Sequence, residues 1–168
     1  MNPYQKLIER KRKWTPVAME AGPLKEGAEE VIRRALALRH MELPVGDFIL
    51  EGLEKGVPDA ARTLLEMNVD DERNHDLALG YAASSHGTDE KAEAEALRLQ
   101  QAWIDHPDHT ICKAMVAERS IFFVVLPLFR FLGDAGLRTV SADISRDEQI
   151  HVATNSLVCR ELGLSHSS

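Results

Sequence analysis

The sequence predicts an all-α protein, a four-helix bundle with an extra helix in the connection between two helical hairpins. Three observations predict it. Helix-forming residues dominate and β-branched runs are scarce. Apolar residues recur at helical spacing along four long segments. One five-residue pattern, D-E-x-x-H, occurs twice, as Asp71-Glu72-Arg73-Asn74-His75 and as Asp147-Glu148-Gln149-Ile150-His151.

The elements follow in order. Residues 1–23 read as an irregular arm with room for a short helix, interrupted at Pro16 and at Gly22-Pro23. The bundle itself is expected over residues 24–163. The first long helix is expected over residues 24–55, with Ile32, Leu36, Leu38, Val45, Ile49 and Leu53 on a helical period. Gly56-Val57-Pro58-Asp59 combines a helix stop with a helix start, so the second spans 59–85. Thr88 or Asp89 caps an acidic amphipathic helix that runs to about residue 105, where His106-Pro107-Asp108 breaks the chain. The third long helix is expected over 109–132, and Gly133-Asp134-Ala135-Gly136 forms a turn. The fourth spans 137–162 and is closed by Gly163. Pro44 and Pro127 fall inside predicted helices, where each frees a carbonyl and bends the axis.

Composition narrows the function. With 168 residues, 44% of them hydrophobic and 28% charged, the chain suits one globular domain with a sizeable core. The net charge of −7 gives no broad basic surface for nucleic acid. The one basic run, Glu9-Arg10-Lys11-Arg12-Lys13, reads as a solvated arm. The longest apolar stretch, residues 121–128, is far shorter than the roughly 20 residues a bilayer requires. The first residues carry no signal-peptide core. Cys112 and Cys159 form no C-x-x-C and fit reduced thiols in a cytoplasmic protein.

The repeated motif carries the chemistry. Residues three apart share a helix face, so each copy aims one carboxylate and one imidazole at the same point. Glu-x-x-His from two helices, plus one Glu from each of two others, is the ligand set of dinuclear iron and manganese sites in helix bundles. One E-x-x-H is roughly what composition supplies by chance; two copies, each preceded by Asp, are far rarer. Asp71 and Asp147 suit an outer role, each accepting from the Nδ1–H of the histidine on the other motif helix.

Hairpin register locates the remaining ligands. Residues equally distant from a turn lie at one height in an antiparallel pair. Counting back from the first turn as far as Glu72 lies beyond it reaches Glu42, and the same count across the second turn from Glu148 reaches Glu118. Both gaps are 30 residues. Glu51 and Glu54 lie too near the turn, leaving Asp47 as the rival to Glu42. Glu118 sits among Ala114, Met115, Val116, Ala117, Ile121 and Phe122, where an acid is costly unless paired or metal-bound. Four glutamates neutralise two divalent ions.

These residues support a resemblance. Ala117-Glu118-Arg119-Ser120-Ile121-Phe122-Phe123, followed by Ile144-Ser145-Arg146-Asp147-Glu148-Gln149-Ile150-His151, resembles the second half of the ribonucleotide reductase small subunit, over residues 114–158. That subunit belongs to the ferritin-like superfamily. The resemblance implies a ferritin-like fold, two iron ions (manganese or a mixed pair as the other options) and O₂ activation. It assigns Glu118, Glu148 and His151 to one metal and Glu42, Glu72 and His75 to the other, with Glu72 and Glu148 as bridges. Two departures stand out. Glu42 occupies a place that is usually Asp, and Leu79 stands where the radical tyrosine falls, with Tyr81 on the opposite helix face. Quinol hydroxylases and aldehyde-deformylating oxygenases resemble the chain in ligand order.

The expected function is therefore an O₂-activating oxidase or oxygenase acting on a small substrate with an external electron donor. It would work away from nucleic acid and membrane, with a homodimer left open. A ferroxidase of iron storage and a radical-generating subunit are the alternatives. Phe122, Phe123, Val125, Leu126, Phe129 and Phe131 are expected in the core, some lining a substrate cavity. His40, His86, His106, His109 and His166 are expected at the surface or at helix caps.

Overall fold

A computed structural model describes residues 2–165, and among them there is no strand. The helices are α1 (Pro3–Arg10), α2 (Glu29–Ala37), α3 (Glu42–Lys55), α4 (Arg62–His86), α5 (Glu90–Ile104), α6 (Thr110–Ser120), α7 (Leu126–Leu132) and α8 (Ala135–Glu161). The long helices α3, α4, α8 and α6 close a ring in which each packs against two of the others. Close approach helps: a Cβ added at Gly52 of α3 would overlap the buried side chain of Ile111 on α6.

Two predicted helices are interrupted, and each break precedes a proline. The segment expected as one helix over 24–55 is α2, a 3₁₀ turn at Leu38–Met41, and α3. Pro44 has no N–H to give the carbonyl of His40. That carbonyl accepts instead from Gln100 Nε2 on α5, at 2.6 Å. The segment expected over 109–132 is α6, a π-helical turn at Ile121–Val125, and α7. Pro127 cannot donate to Phe123, and the ladder shifts register: Leu126 N–H bonds the carbonyl of Ile121, five residues back. The extra helix matches its expected span and is capped by Asp89, which accepts from Ala92 N–H at 2.9 Å.

The core is divided. One apolar cluster, with Phe48, Leu65 and Ile111, joins α1, α3, α4, α6 and the end of α8. A second, with Leu36, Leu79 and Phe129, joins α2, the later half of α4, α7 and the start of α8. The acidic and histidine side chains of both D-E-x-x-H segments belong to neither cluster, while Ile150 joins the first, so a polar layer crosses the bundle between two apolar caps.

The N-terminal arm is mostly exposed but is anchored on the bundle at a few points. Tyr4 is buried and its hydroxyl donates to Glu161 Oε1 at 2.8 Å. Beyond α1 the chain runs along the bundle, with Trp14, Met19 and Leu24 packed on the second apolar cluster. Gly22 N–H donates to Asp134 Oδ2 at 2.7 Å.

Phe123, Phe131 and His86 lie elsewhere than expected, whereas His40, His109 and the two cysteines lie as expected. Phe123 and Phe131 are 64% and 72% exposed, because they project from the side of α7 and its π turn that faces away from the ring. His86 is enclosed, with Nε2 3.0 Å from Asp134 Oδ2. His40 pairs with Glu93 at 2.6 Å, and His109 caps α6. His166 lies outside the described residues. Cys112 and Cys159 are free and buried, their sulfurs 3.5 Å apart. No helix among the described residues is long and apolar enough to cross a membrane.

Candidate metal centre

The structure brings all six residues of the expected ligand set into the polar layer. Glu72 and His75 project from α4, Glu148 and His151 from α8, Glu42 from the first turn of α3 and Glu118 from the last turn of α6. None is more than 2% exposed. Potential ligand atoms of Glu42, Glu72, His75 and Glu148 lie within 4.8 Å of one another, and so do those of Glu72, Glu118 and His151.

Glu72 belongs to both groups and faces two ways. Its Oε2 is 3.6 Å from His75 Nδ1 and its Oε1 is 3.2 Å from His151 Nδ1. Glu148 Oε1 stands between the same two nitrogens, 3.4 Å from His75 and 3.7 Å from His151. Glu42 Oε2 approaches His75 Nδ1 at 3.5 Å, and Glu118 Oε1 approaches His151 Nδ1 at 3.4 Å. The arrangement is a near-twofold pair of half-sites with two carboxylates between them.

The donor atoms test whether a cation fits. Glu42 Oε2, Glu72 Oε2, His75 Nδ1, both oxygens of Glu148 and His151 Nδ1 are buried with no hydrogen-bond partner. An unsatisfied buried polar atom is costly, and native interiors hold few. Here six converge on one space, and all are of the types that bind transition ions. A metal ion among them would give these atoms a partner.

The outer contacts cross between helices. His75 Nε2 lies 2.9 Å from Asp147 Oδ2, and His151 Nε2 lies 2.8 Å from Asp71 Oδ2. Each aspartate serves the histidine of the opposite motif helix, but through Nε2 where the sequence suggested Nδ1. The reason is the ring's shape. Nδ1, next to Cβ, stays near the Glu on its own helix, while Nε2 at the far edge reaches across.

Burial pushes the Glu42 and Glu118 carboxyls well above the ordinary range, with neighbouring carboxylates adding to it. Burial also acts on Glu72, but His75 and His151 outweigh it and hold that group low. Burial opposes charge on both histidines. Glu72 and Asp147 around His75, and Asp71 and Glu148 around His151, overcome it and raise both well above the usual value.

Four further residues complete the centre. The Asn68 amide donates to Glu72 Oε1 and Glu118 Oε1, both at 2.9 Å. Asn155 donates to Glu118 Oε2 and, at 3.3 Å, to Asn68 Oδ1. Lys11 from the basic run donates to Asp71 and, at 3.2 Å, to Asp147 Oδ1. Trp14 Nε1–H donates to Asp147 Oδ2 at 2.8 Å, and its ring stacks on His75 with centroids 6.1 Å apart. The asparagines carried a signal, since Asn68 precedes Glu72 by four residues and Asn155 follows His151 by four. Lys11 and Trp14 carried none. Leu79 is buried in the apolar cluster beside this layer.

Fold and site thus define an all-helical protein with a buried carboxylate–imidazole cluster able to hold metal. Set against protein-family models, curated proteins and solved structures, the chain matches none.

Proposed function

We propose that the chain is a ferritin-like dinuclear carboxylate protein that holds two iron ions and activates O₂ to oxidise a small substrate. Glu42, Glu72, His75 and Glu148 would hold one ion. Glu72, Glu118 and His151 would hold the other, with Glu148 in reach of both. The observation that supports it is the convergence of six partnerless, buried ligand atoms in two related half-sites. Donor type favours no single metal, so availability decides between iron, manganese and a mixed pair. When bound, the ions supply the redox chemistry that these side chains lack.

The chain's own residues set the conditions. Asp71 and Asp147 fix each imidazole with its inner nitrogen facing the cluster. Asn68 and Asn155 orient Glu118. The two apolar caps exclude water from the layer between them. Lys11 offsets charge on both outer aspartates.

Metal analysis tests the reading. The wild-type protein should take up about two ions per chain, and Glu118→Ala clearly fewer. Consumption of O₂ by the Fe(II)-loaded protein should exceed that of free Fe(II). A wild-type protein without metal after loading, or full occupancy in the variant, would remove the assignment.

A further inference from the structure

A second feature lies beside the cluster. α5, the 3₁₀ turn at Leu38–Met41, α6 and the π turn line a cavity of about 350 Å³ that opens to solvent. Met41, Trp103, Val116, Ala117, Ile121 and Val125 supply most of its wall. No Lys, Arg, Asp or Glu lines it. Its polar side chains are engaged elsewhere: the Ser120 hydroxyl donates to the Val116 carbonyl at 3.0 Å, and Trp103 Nε1–H to the Lys113 carbonyl at 3.1 Å. His106 Nδ1 accepts from Asp108 N–H at 3.3 Å.

The position is specific. Met41 and Ala117 are the chain neighbours of Glu42 and Glu118, and Ile121 follows Glu118 by one helical turn. Ile121 and Val125 bound the π turn, so the register shift imposed near Pro127 also shapes this wall. Neither Glu42 nor Glu118 lines the cavity, but each is next in sequence to a residue that does. Its size falls within the usual range for small-molecule sites, and such sites are mostly apolar.

We infer that this cavity binds a neutral, mainly aliphatic small molecule, and that it presents this molecule to the Glu42–Glu118 side of the cluster as substrate. Neutrality follows from the lining: it holds no permanently charged side chain, and its one ionisable group, His106, has Nδ1 engaged by Asp108 N–H, so a carboxylate or an ammonium would lose water there for no fixed counter-charge. An apolar chain gains from every methylene it removes from water. The role as substrate rests on the proposed function above; the binding of an apolar ligand rests on the cavity alone.

Straight-chain alcohols from butanol to decanol are the probe. Binding to the full-length, metal-free protein is followed by the emission of Trp103, which lies in the wall, and by calorimetry. Affinity should rise roughly fourfold per added methylene and level off once the cavity is full. Decanoate should bind much more weakly than decanol. Ala102→Phe, placed on the exposed face of α5 where it lines the cavity, should weaken decanol binding at least about tenfold with metal content unchanged. Leu99→Trp, 44% exposed on the same helix, is the second filling variant. Absence of binding, absence of chain-length dependence, equal binding of decanoate, or unchanged affinity in both folded variants would overturn the inference. Alcohol binding by a protein that takes up no metal would support the binding site and remove the two-metal reading. Metal uptake without alcohol binding would overturn the cavity alone.

Discussion

His75 and Asp147 meet across two helices at 2.9 Å, and the pair has a mirror in His151 and Asp71 at 2.8 Å. Each D-E-x-x-H segment therefore depends on the other. The Glu and His of one copy face the cluster, while its Asp holds the other copy's imidazole. The N-terminal arm breaks this symmetry, because Trp14 covers His75 and Asp147 but has no counterpart described on His151.

Replacing either aspartate should loosen the opposite histidine. Asp71→Ala and Asp147→Ala are each expected to lower metal affinity by about 10–100-fold, the usual effect of losing an outer partner. Competition against a chelator of known affinity measures this. Unchanged affinity in both variants would show that the imidazoles need no orienting group.

Metal uptake should release protons and weaken as pH falls. Burial raises the Glu42 and Glu118 carboxyls, so the metal-free protein carries protons that cations must displace. Calorimetric titrations in buffers of different ionisation enthalpy count the protons. Uptake independent of buffer and pH would contradict protonated acids in the metal-free site.

Lys11→Met should detach the arm. Lys11 bonds two aspartates with its side chain 13% exposed, and charged hydrogen bonds of this kind are worth about 1.5–3 kcal/mol. The variant should lose stability of that order. Trypsin should also cut faster near Arg10, Arg12 and Lys13. Wild-type cleavage rates would mean that Trp14 and Met19 hold the arm by themselves.

Asp134 gives an acid-dependent contribution. Burial would raise its carboxyl, but the N–H groups of Leu137 and Gly22, with His86 close by, hold it below the usual range. A depressed folded-state value stabilises fully above the unfolded value of about 4, and the gain fades as pH falls through the folded one. Asp134→Ala, which also removes the cap of α8, should cost about 1–2 kcal/mol at pH 7. The difference from wild type should shrink near pH 3. Chemical denaturation at the two pH values checks it, and an equal loss at both would assign the effect to packing.

Much of this centre was legible because its geometry is periodic. A three-residue step on a helix and an equal count on either side of a turn are local rules, and they brought Glu42, Glu72, Glu118 and Glu148 to one level. The asparagines were within reach of the same rule, at four residues from Glu72 and from His151. Lys11 and Trp14 were not, since no spacing links residues 11 and 14 to residue 147. The prolines were visible but their outcomes were not. Whether Pro44 bends a helix or ends one depends on a partner for the His40 carbonyl, and Gln100 supplies it from a different element.

The arm's long-range contacts also bear on the order in which the fold closes. Tyr4 bonds Glu161 across 157 positions of sequence, and Lys11 and Trp14 find Asp147 across more than a hundred. Contacts of such separation form late, because the intervening chain must first be in place. Until α8 is in place, Tyr4 lacks Glu161 and Trp14 lacks Asp147, although Lys11 already has Asp71 and Trp14 has His75 on α4. The bonds from Tyr4 and Trp14 to α8 thus belong to the contacts of longest separation, the class that closes last.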